Sequence, residues 1–469
     1  MSLNLNSTFF RLNKRIILLV LLSFLLYWAF AYNLVRTDYV KLITLYIGLF
    51  FLFYNIINIL KHHTRKLTYL AFGFRAIFIL AIPNLSQDFY RFIWDGRMIL
   101  QGINPYLHTV EFFISQNKFP VAQALELRTG MGDLNASHFT NYPPINQLCF
   151  TIAALFSSKS ILGSVIVMRL IIIAADFGTL YFGKKILEKL KHPAHHIFWY
   201  ILNPFIIIEL TGNLHFEGVM IFFLIWSLYL LYIGKWQISG VILALSISVK
   251  LIPLIFLPLF FQWFIKRIDK KNDLSIVLKY SKLIIFYLII GITTLLLFAP
   301  FYSSDFINNY SQTVALWFQN FEFNGSLYYL AREIGYLFRG YNEIAIIGKV
   351  TPVIVVIFTI VITFFRKNKT PLEFMSAMLL VLSFYYFTTT TVHPWYVATL
   401  LALSVFTKYK FPLVWSFVII LSYLAYINLN KADKSENLWV ITLEYLIVYG
   451  VFLWEVFSKK KETNTSIYK

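Results

Sequence analysis

The chain has 469 residues, 59% hydrophobic and 19% aromatic but only 13% charged, about half the charged share of a soluble domain. That balance excludes a water-soluble globule and a disordered chain, and the single Cys149 excludes an intramolecular disulfide or a cysteine-cluster metal site. The net charge of +19 fits the cytoplasmic loops of a membrane protein, where Lys and Arg accumulate, and no nucleic-acid-binding pattern accompanies it.

Apolar, charge-poor runs follow one another at about 16–35, 42–60, 67–85, 160–183, 197–210, 219–234, 236–249, 251–265, 283–302, 344–365, 374–392, 395–407, 411–430 and 437–457. A backbone in lipid must satisfy its own hydrogen bonds, and these runs lack the polar alternation of a barrel. The expected fold is therefore an all-α polytopic membrane protein, one integral-membrane domain over 1–469 with about 14 transmembrane helices. The first run follows basic Arg11–Arg15 but lacks a small-residue cleavage site and leads into a second apolar run, so it reads as a retained anchor.

The short segment Ile145–Ser157 decides the topology. If it dips in and returns, one side receives 11–15, 61–66, 184–191, 235, 266–282, 366–373, 408–410 and 459–469. Those stretches hold 26 Lys and Arg against 5 Asp and Glu, the asymmetry of a cytoplasmic face. The expectation is a re-entrant segment, both termini in the cytoplasm, and large extracytoplasmic loops with their own helices at about 86–144 and 303–343. The cell inner membrane, with the site on its periplasmic side, is the expected location.

Polar residues gather at that outer face. After the third run, Asp88, Arg91 and Asp95 fall on one face of a helix that Asn104-Pro105 ends. An interfacial amphipathic helix with a salt bridge is the plainer reading of that spacing. Tyr142-Pro-Pro144 opens the re-entrant segment. Asn203-Pro204 breaks the fifth run, which leads through Glu209 to Asn213, His215 and Glu217. Lys250-Leu-Ile-Pro253 divides two apolar halves, and His393-Pro-Trp395-Tyr396 follows a run of threonines. Taken singly, a buried His is usually a satisfied core residue and Lys250 a snorkelling one. Their convergence on one face points to a cavity with chemistry. Arg169 and Asp176, seven residues apart, are expected to interact within the bundle, with Arg75 doing the same or reaching toward Asp88. Glu444 and Glu455 read as structural or interfacial.

Asp88-x-Tyr90-Arg91, then Gly102-x-Asn104-Pro105-Tyr106 and Tyr142-Pro143-Pro144, resembles the first extracytoplasmic loop of GT-C glycosyltransferases. The similarity extends to bacterial polyprenol-phosphate-mannose mannosyltransferases and the catalytic subunit of GPI mannosyltransferase I. Asn203-Pro204, Gly212-Asn213, Lys250-x-x-Pro253 and His393-Pro-Trp-Tyr396 stand in the matching order; the likeness covers about 85–260 and, more weakly, 390–400. It implies a GT-C-like bundle that moves a hexose, by the resemblance mannose, from a polyprenyl-phosphate-sugar donor to a glycan or glycolipid acceptor.

On that resemblance Asp88 is the catalytic base, which deprotonates the attacking hydroxyl. Arg91, Lys250 and His393 are candidates for the donor phosphate. Asp95, Tyr106, Tyr142, Asn213, His215, Glu217 and Trp395 are substrate-binding candidates, with packing the alternative for each aromatic residue. Some relatives carry an acid-x-acid pair where this chain has Asp88-Phe89-Tyr90, so no metal or other cofactor is expected. A non-enzymatic flippase for lipid-linked sugars would use a similar cationic cavity. A polysaccharide polymerase or ligase is a further alternative.

Overall fold

With so little polar surface, the backbone closes its hydrogen bonds within helices. The computed structural model describes residues 7–266, 275–319, 321–430 and 436–458. Much of the basic segment 266–282 and all of 459–469 lie outside the described residues. Among those described, the only β-pairing is an isolated bridge between Phe323 and Thr391. Among the described residues, seven helices are long and apolar enough to cross a membrane: Asn13–Asn33, Tyr39–Leu60, Ile161–Lys189, Ile276–Phe301, Ile344–Phe365, Pro371–Thr388 and Leu438–Phe457. An eighth span forms if Pro204–Gly212 and Glu217–Tyr232, bent by 114° at a short break, count as one. The chain is thus an all-α, multi-pass membrane protein.

The fourteen apolar runs do not become fourteen helices of spanning length. Pro144–Phe156, Trp236–Ile247, Ile252–Ile265, Pro394–Ser404 and Phe411–Ile427 are apolar but only 10–17 residues long. Prolines explain part of the shortfall, since a proline removes an N–H and clashes with the preceding turn. Pro253 and Pro258 leave Ile252–Leu259 as a tight 3-10 coil, and Asn203-Pro204 restarts the chain with Asn203 as cap, its Oδ1 accepting from the Phe205 N–H at 2.9 Å.

The first half is organised as α1 (Ser7–Asn33), α2 (Tyr39–Leu60), α3 (Thr64–Ile77), α4 (Asp88–Leu100), α5 (Val110–Ser115), α6 (Ala124–Ser137), α7 (Pro144–Phe156) and α8 (Ile161–Lys189). Helices α4 and α7 meet closely. A Cβ built on Gly96 would stand 2.2 Å from the Phe150 carbonyl oxygen, so only glycine fits the crossing. Phe92 stacks on Phe150 beside it at 4.6 Å and 6°. The start of α7 is tied to the segment before Lys250: the Ile145 N–H donates to Ser248 O at 2.9 Å and Asn146 Nδ2 to Val249 O at 2.9 Å.

Two buried arginines join α3, α8 and the bent span. Arg75 Nε donates to Asp176 Oδ2 at 2.8 Å, both side chains fully enclosed, and Arg75 Nη1 donates to Ile201 O at 2.7 Å. Arg169 does not reach Asp176. It donates to Thr211 O (2.8 Å), Gly212 O (2.9 Å), Ile79 O (3.0 Å) and Ala81 O (2.7 Å). These carbonyls lie where helical segments end, where a cation satisfies unpaired acceptors and the negative end of the dipole. Spacing alone missed this, because the carbonyls come from distant turns. Arg75 takes the partner that the spacing assigned to Arg169, and so does not extend toward Asp88.

Candidate active site

Asp88 is the first residue of α4, and the turn that delivers it is pinned from the bent span. Asn213 Oδ1 accepts from the Leu85 N–H at 3.0 Å, while Asn213 Nδ2 holds Ile208 O at 3.1 Å. The Asp88 N–H meets Ser86 Oγ at 3.3 Å, and Asp88 Oδ1 accepts from Asn135 Nδ2 of α6 at 3.3 Å. Asp88 keeps some solvent contact. Burial among protein nonetheless raises its pKa above the usual carboxylate range, against the lowering pull of Asn135, Lys250 and Arg36. A carboxylate so raised is a better base at neutral pH, provided it stays ionised.

Around it the remaining polar motifs converge. The Lys250 ammonium donates to Glu217 Oε1 and lies 5.7 Å over the Tyr396 ring. Glu217 opens the second half of the bent span, just after Leu214, whose φ of 61° makes the sharp reversal. His215 stacks on Trp395 at 3.6 Å and 18°, and Trp395 stacks on His393 at 4.6 Å and 6°. Phe323 extends the column, 5.1 Å from His393. Three enclosed polar atoms here lack a hydrogen-bond partner among the described residues: Glu217 Oε2, His215 Nε2 and His393 Nδ1. Buried polar atoms are normally paired, so such a cluster suits a site that awaits a polar ligand. Burial, then the Lys250 charge, lowers the His393 pKa to about 3. Its imidazole is therefore neutral at physiological pH, a hydrogen-bonding group and not a cation.

Other sequence candidates are occupied by the loop itself. Arg91 Nε donates to Asp95 Oδ1 at 2.8 Å, and Nη1 to Asn135 O (2.7 Å) and His138 O (2.9 Å). Asp95 also accepts from Gln147 Nε2 at 3.1 Å. Asp95 and Arg91 thus link α4, the end of α6 and α7. Tyr106 is enclosed, donating to Tyr142 O at 2.6 Å amid Phe301, Phe306 and Tyr310. Tyr142 packs edge-on to Phe92 at 4.9 Å while retaining partial exposure.

Several residues at this place carry no motif. Phe323 arrives because its backbone pairs with the threonine segment: its N–H donates to Thr390 O at 3.1 Å and its carbonyl accepts from Val392 N–H at 2.8 Å. Glu209 accepts from Tyr423 OH at 2.9 and 3.0 Å and lies 3.8 Å from His215 Nε2. Arg36, in the turn between α1 and α2, lies 4.5 Å over the Tyr426 ring. Charge in the turn of a hydrophobic hairpin ordinarily marks the headgroup boundary, so nothing in the sequence singled it out. Among the described residues, no group of three or more His, Cys, Asp or Glu is arranged to hold a metal.

The model of the MptA_B family, described as alpha-(1->6)-mannopyranosyltransferase, N-terminal domain, matches residues 21–266, just over half of the chain. The chain belongs to the MptA_B family. No curated protein matches it. As a family member it is a membrane-embedded glycosyltransferase of the mannosyltransferase kind, which takes a sugar donor and a glycan acceptor. The matched region of this MptA_B protein contains Asp88, the loop to Tyr142, the bent span and Lys250. His393, Trp395 and Phe323 reach the same place from beyond it.

Proposed function

We propose that the protein transfers mannose from a polyprenyl-phosphate-mannose donor to an extracytoplasmic glycan or glycolipid, at the periplasmic face of the cell inner membrane. The observation that carries this reading is the convergence of Asp88, the Lys250–Glu217 pair and the His215–Trp395–His393 stack. In the step, the acceptor oxygen bonds to the anomeric carbon while its proton passes to Asp88. The bond from that carbon to the phosphate oxygen breaks, and the electron pair leaves with polyprenyl phosphate. One displacement inverts the centre, so a β-linked donor yields an α-mannoside; the family description supports a (1->6) linkage.

Lys250 keeps one N–H on Glu217 and has two more for the departing phosphate, which neutral His393 reaches as a hydrogen-bonding partner. Tyr142, partly exposed, offers a face to the sugar or prenyl chain, while Trp395, covered by His215 and His393, holds the two imidazoles in place. Arg91 and Asp95 hold the loop, and Asn213 positions Asp88. No metal is required, because the leaving phosphate is already a good one and needs charge stabilisation more than activation. The 13 residues of α7 span about 20 Å, short of a ~30 Å hydrocarbon core, which supports re-entry and hence the outer location of the site.

The test incubates the purified protein with polyprenyl-phosphate-mannose and a mannoside acceptor in excess chelator. Release of polyprenyl phosphate with formation of an α-mannoside is expected. Intact lipid-linked sugar crossing proteoliposomes without transfer would identify a flippase instead.

A further inference from the structure

We propose that Arg36 is a second cation, besides Lys250, that receives the phosphate of the lipid-linked donor, an inference that rests on the transferase reading above. The argument begins with the charges already used. Lys250 is paired with Glu217, and Arg91 with Asp95 and two carbonyls. Arg97 donates to Ala122 O at 2.6 Å. Arg75 and Arg169 are held inside the bundle. Glu217 and Lys250 balance each other and Glu209 takes the Tyr423 hydroxyl, whereas among the described residues Asp88 is hydrogen-bonded by the Asn135 amide and by no basic side chain. A phosphodiester arriving there brings a second negative charge into a poorly solvated place, where like charges repel strongly. A further cation is needed.

Arg36 is placed to be that cation. Its neighbours in the turn are spoken for: Asp38 caps α2 by accepting from the Lys41 N–H at 3.2 Å, and the Lys41 ammonium holds Asn33 O at 2.7 Å. Arg36 itself has neither a carboxylate nor a carbonyl partner among the described residues. Its guanidinium lies 4.5 Å over Tyr426 and is partly exposed. The Tyr426 ring is 6.3 Å from Phe323, the end of the column that includes His393 and Trp395. The same ring is 5.9 Å from Tyr423, which holds Glu209. A guanidinium resting on an aromatic face keeps its in-plane N–H donors free, in the fork that matches two phosphate oxygens. The positive charge also acts on Asp88.

The approach is apolar. On either side of Arg36, Trp28 and Tyr32 of α1, Val35 of the turn, and Tyr39 and Val40 of α2 are exposed. A phosphate carried on a lipid chain can follow that surface to Arg36, whereas a free phosphate gains nothing from it.

The experiment uses the full chain in lipid nanodiscs and measures binding of a short polyprenyl phosphate, the matching polyprenol and inorganic phosphate. The proteins are the wild type, Arg36→Gln and Arg36→Lys. Arg36→Gln should weaken polyprenyl phosphate binding tenfold or more and leave both polyprenol affinity and the melting temperature unchanged. Arg36→Lys should recover part of the loss. Inorganic phosphate should compete only at far higher concentration; competition at equal affinity would overturn a lipid-borne source. Wild type that binds polyprenyl phosphate while Arg36→Gln binds it equally well would overturn the role of Arg36 alone. An equal loss of polyprenol affinity in Arg36→Gln would also overturn it, as a structural effect. Wild type that binds no polyprenyl phosphate would instead defeat the transferase reading.

Discussion

Asp88 must be ionised to take a proton, and its surroundings set the pH at which that ability is lost. Burial raises its pKa, so the protonated, inactive form takes over at a higher pH than for a free aspartate. The acid limb of kcat/KM should therefore lie above about 4, the ordinary aspartate value, with activity falling as pH falls through it. Asp88→Asn should lower turnover by about 10²–10⁴-fold while donor binding persists, both read from polyprenyl phosphate release and direct binding. Full turnover in a correctly folded Asp88→Asn protein would remove the residue from the chemistry. At this scale Asp88, Lys250, His215, Glu217, His393 and Trp395 were legible, because polar groups stand out within apolar runs. Arg91 was harder to read. Its role depends on Asn135 O and His138 O, carbonyls 44 and 47 positions away that no spacing rule connects.

Elements lock together through contacts that tolerate little change. Gly96 and Gly291 both lie within helices, so replacing either with alanine brings a similar gain in helix propensity of up to ~1 kcal/mol. Their surroundings separate them: a Cβ at Gly96 drives into the Phe150 backbone, while one at Gly291 meets nothing within 4 Å. Gly96→Ala should destabilise the protein by about 1–3 kcal/mol, and Gly291→Ala should leave it unchanged or slightly more stable. Thermal unfolding in detergent measures both. Counting charge-free runs overstated the long helices, because such a count is blind to where proline and the 114° break turn the backbone. The pairing of Phe323 with Thr390 and Val392 was equally hidden, since it joins segments some 70 residues apart by main-chain atoms that have no sequence signature.

For the whole molecule, the proposed topology places α5 and Ser304–Gln319 outside the cell membrane and the turn after α2 inside. Cysteines introduced at Lys118 and Asn308, both exposed, should react with an impermeant thiol reagent from the outside, and one at Lys61 should not. Native Cys149 is buried and should stay silent. Labelling at Lys61 from outside would invert the arrangement. The charge asymmetry already visible in the loops motivates this orientation and placed the polar motifs on one face, whereas the contacts that join them, the Lys250–Glu217 pair and the His215–Trp395–His393 stack, became visible only in the folded chain.

The Arg75–Asp176 pair also bears on how the protein is made. Helix α3 has only 14 residues and a cation that is enclosed by protein in the finished molecule. Arg75 lies in the last turn of α3 but midway along the apolar run 67–85, where a lone arginine costs about 2.5–3.5 kcal/mol on insertion, and its carboxylate partner is synthesised 101 residues later. Insertion of α3 by itself is therefore disfavoured, and we expect it to wait at the insertion machinery or the lipid surface until α8 supplies Asp176. A chain truncated before α8 should leave Lys118→Cys shielded from the outside reagent, and full-length Asp176→Ala should show the same defect in part. Insertion of α3 to α8 would then be a single delayed event, completed by the last of those helices.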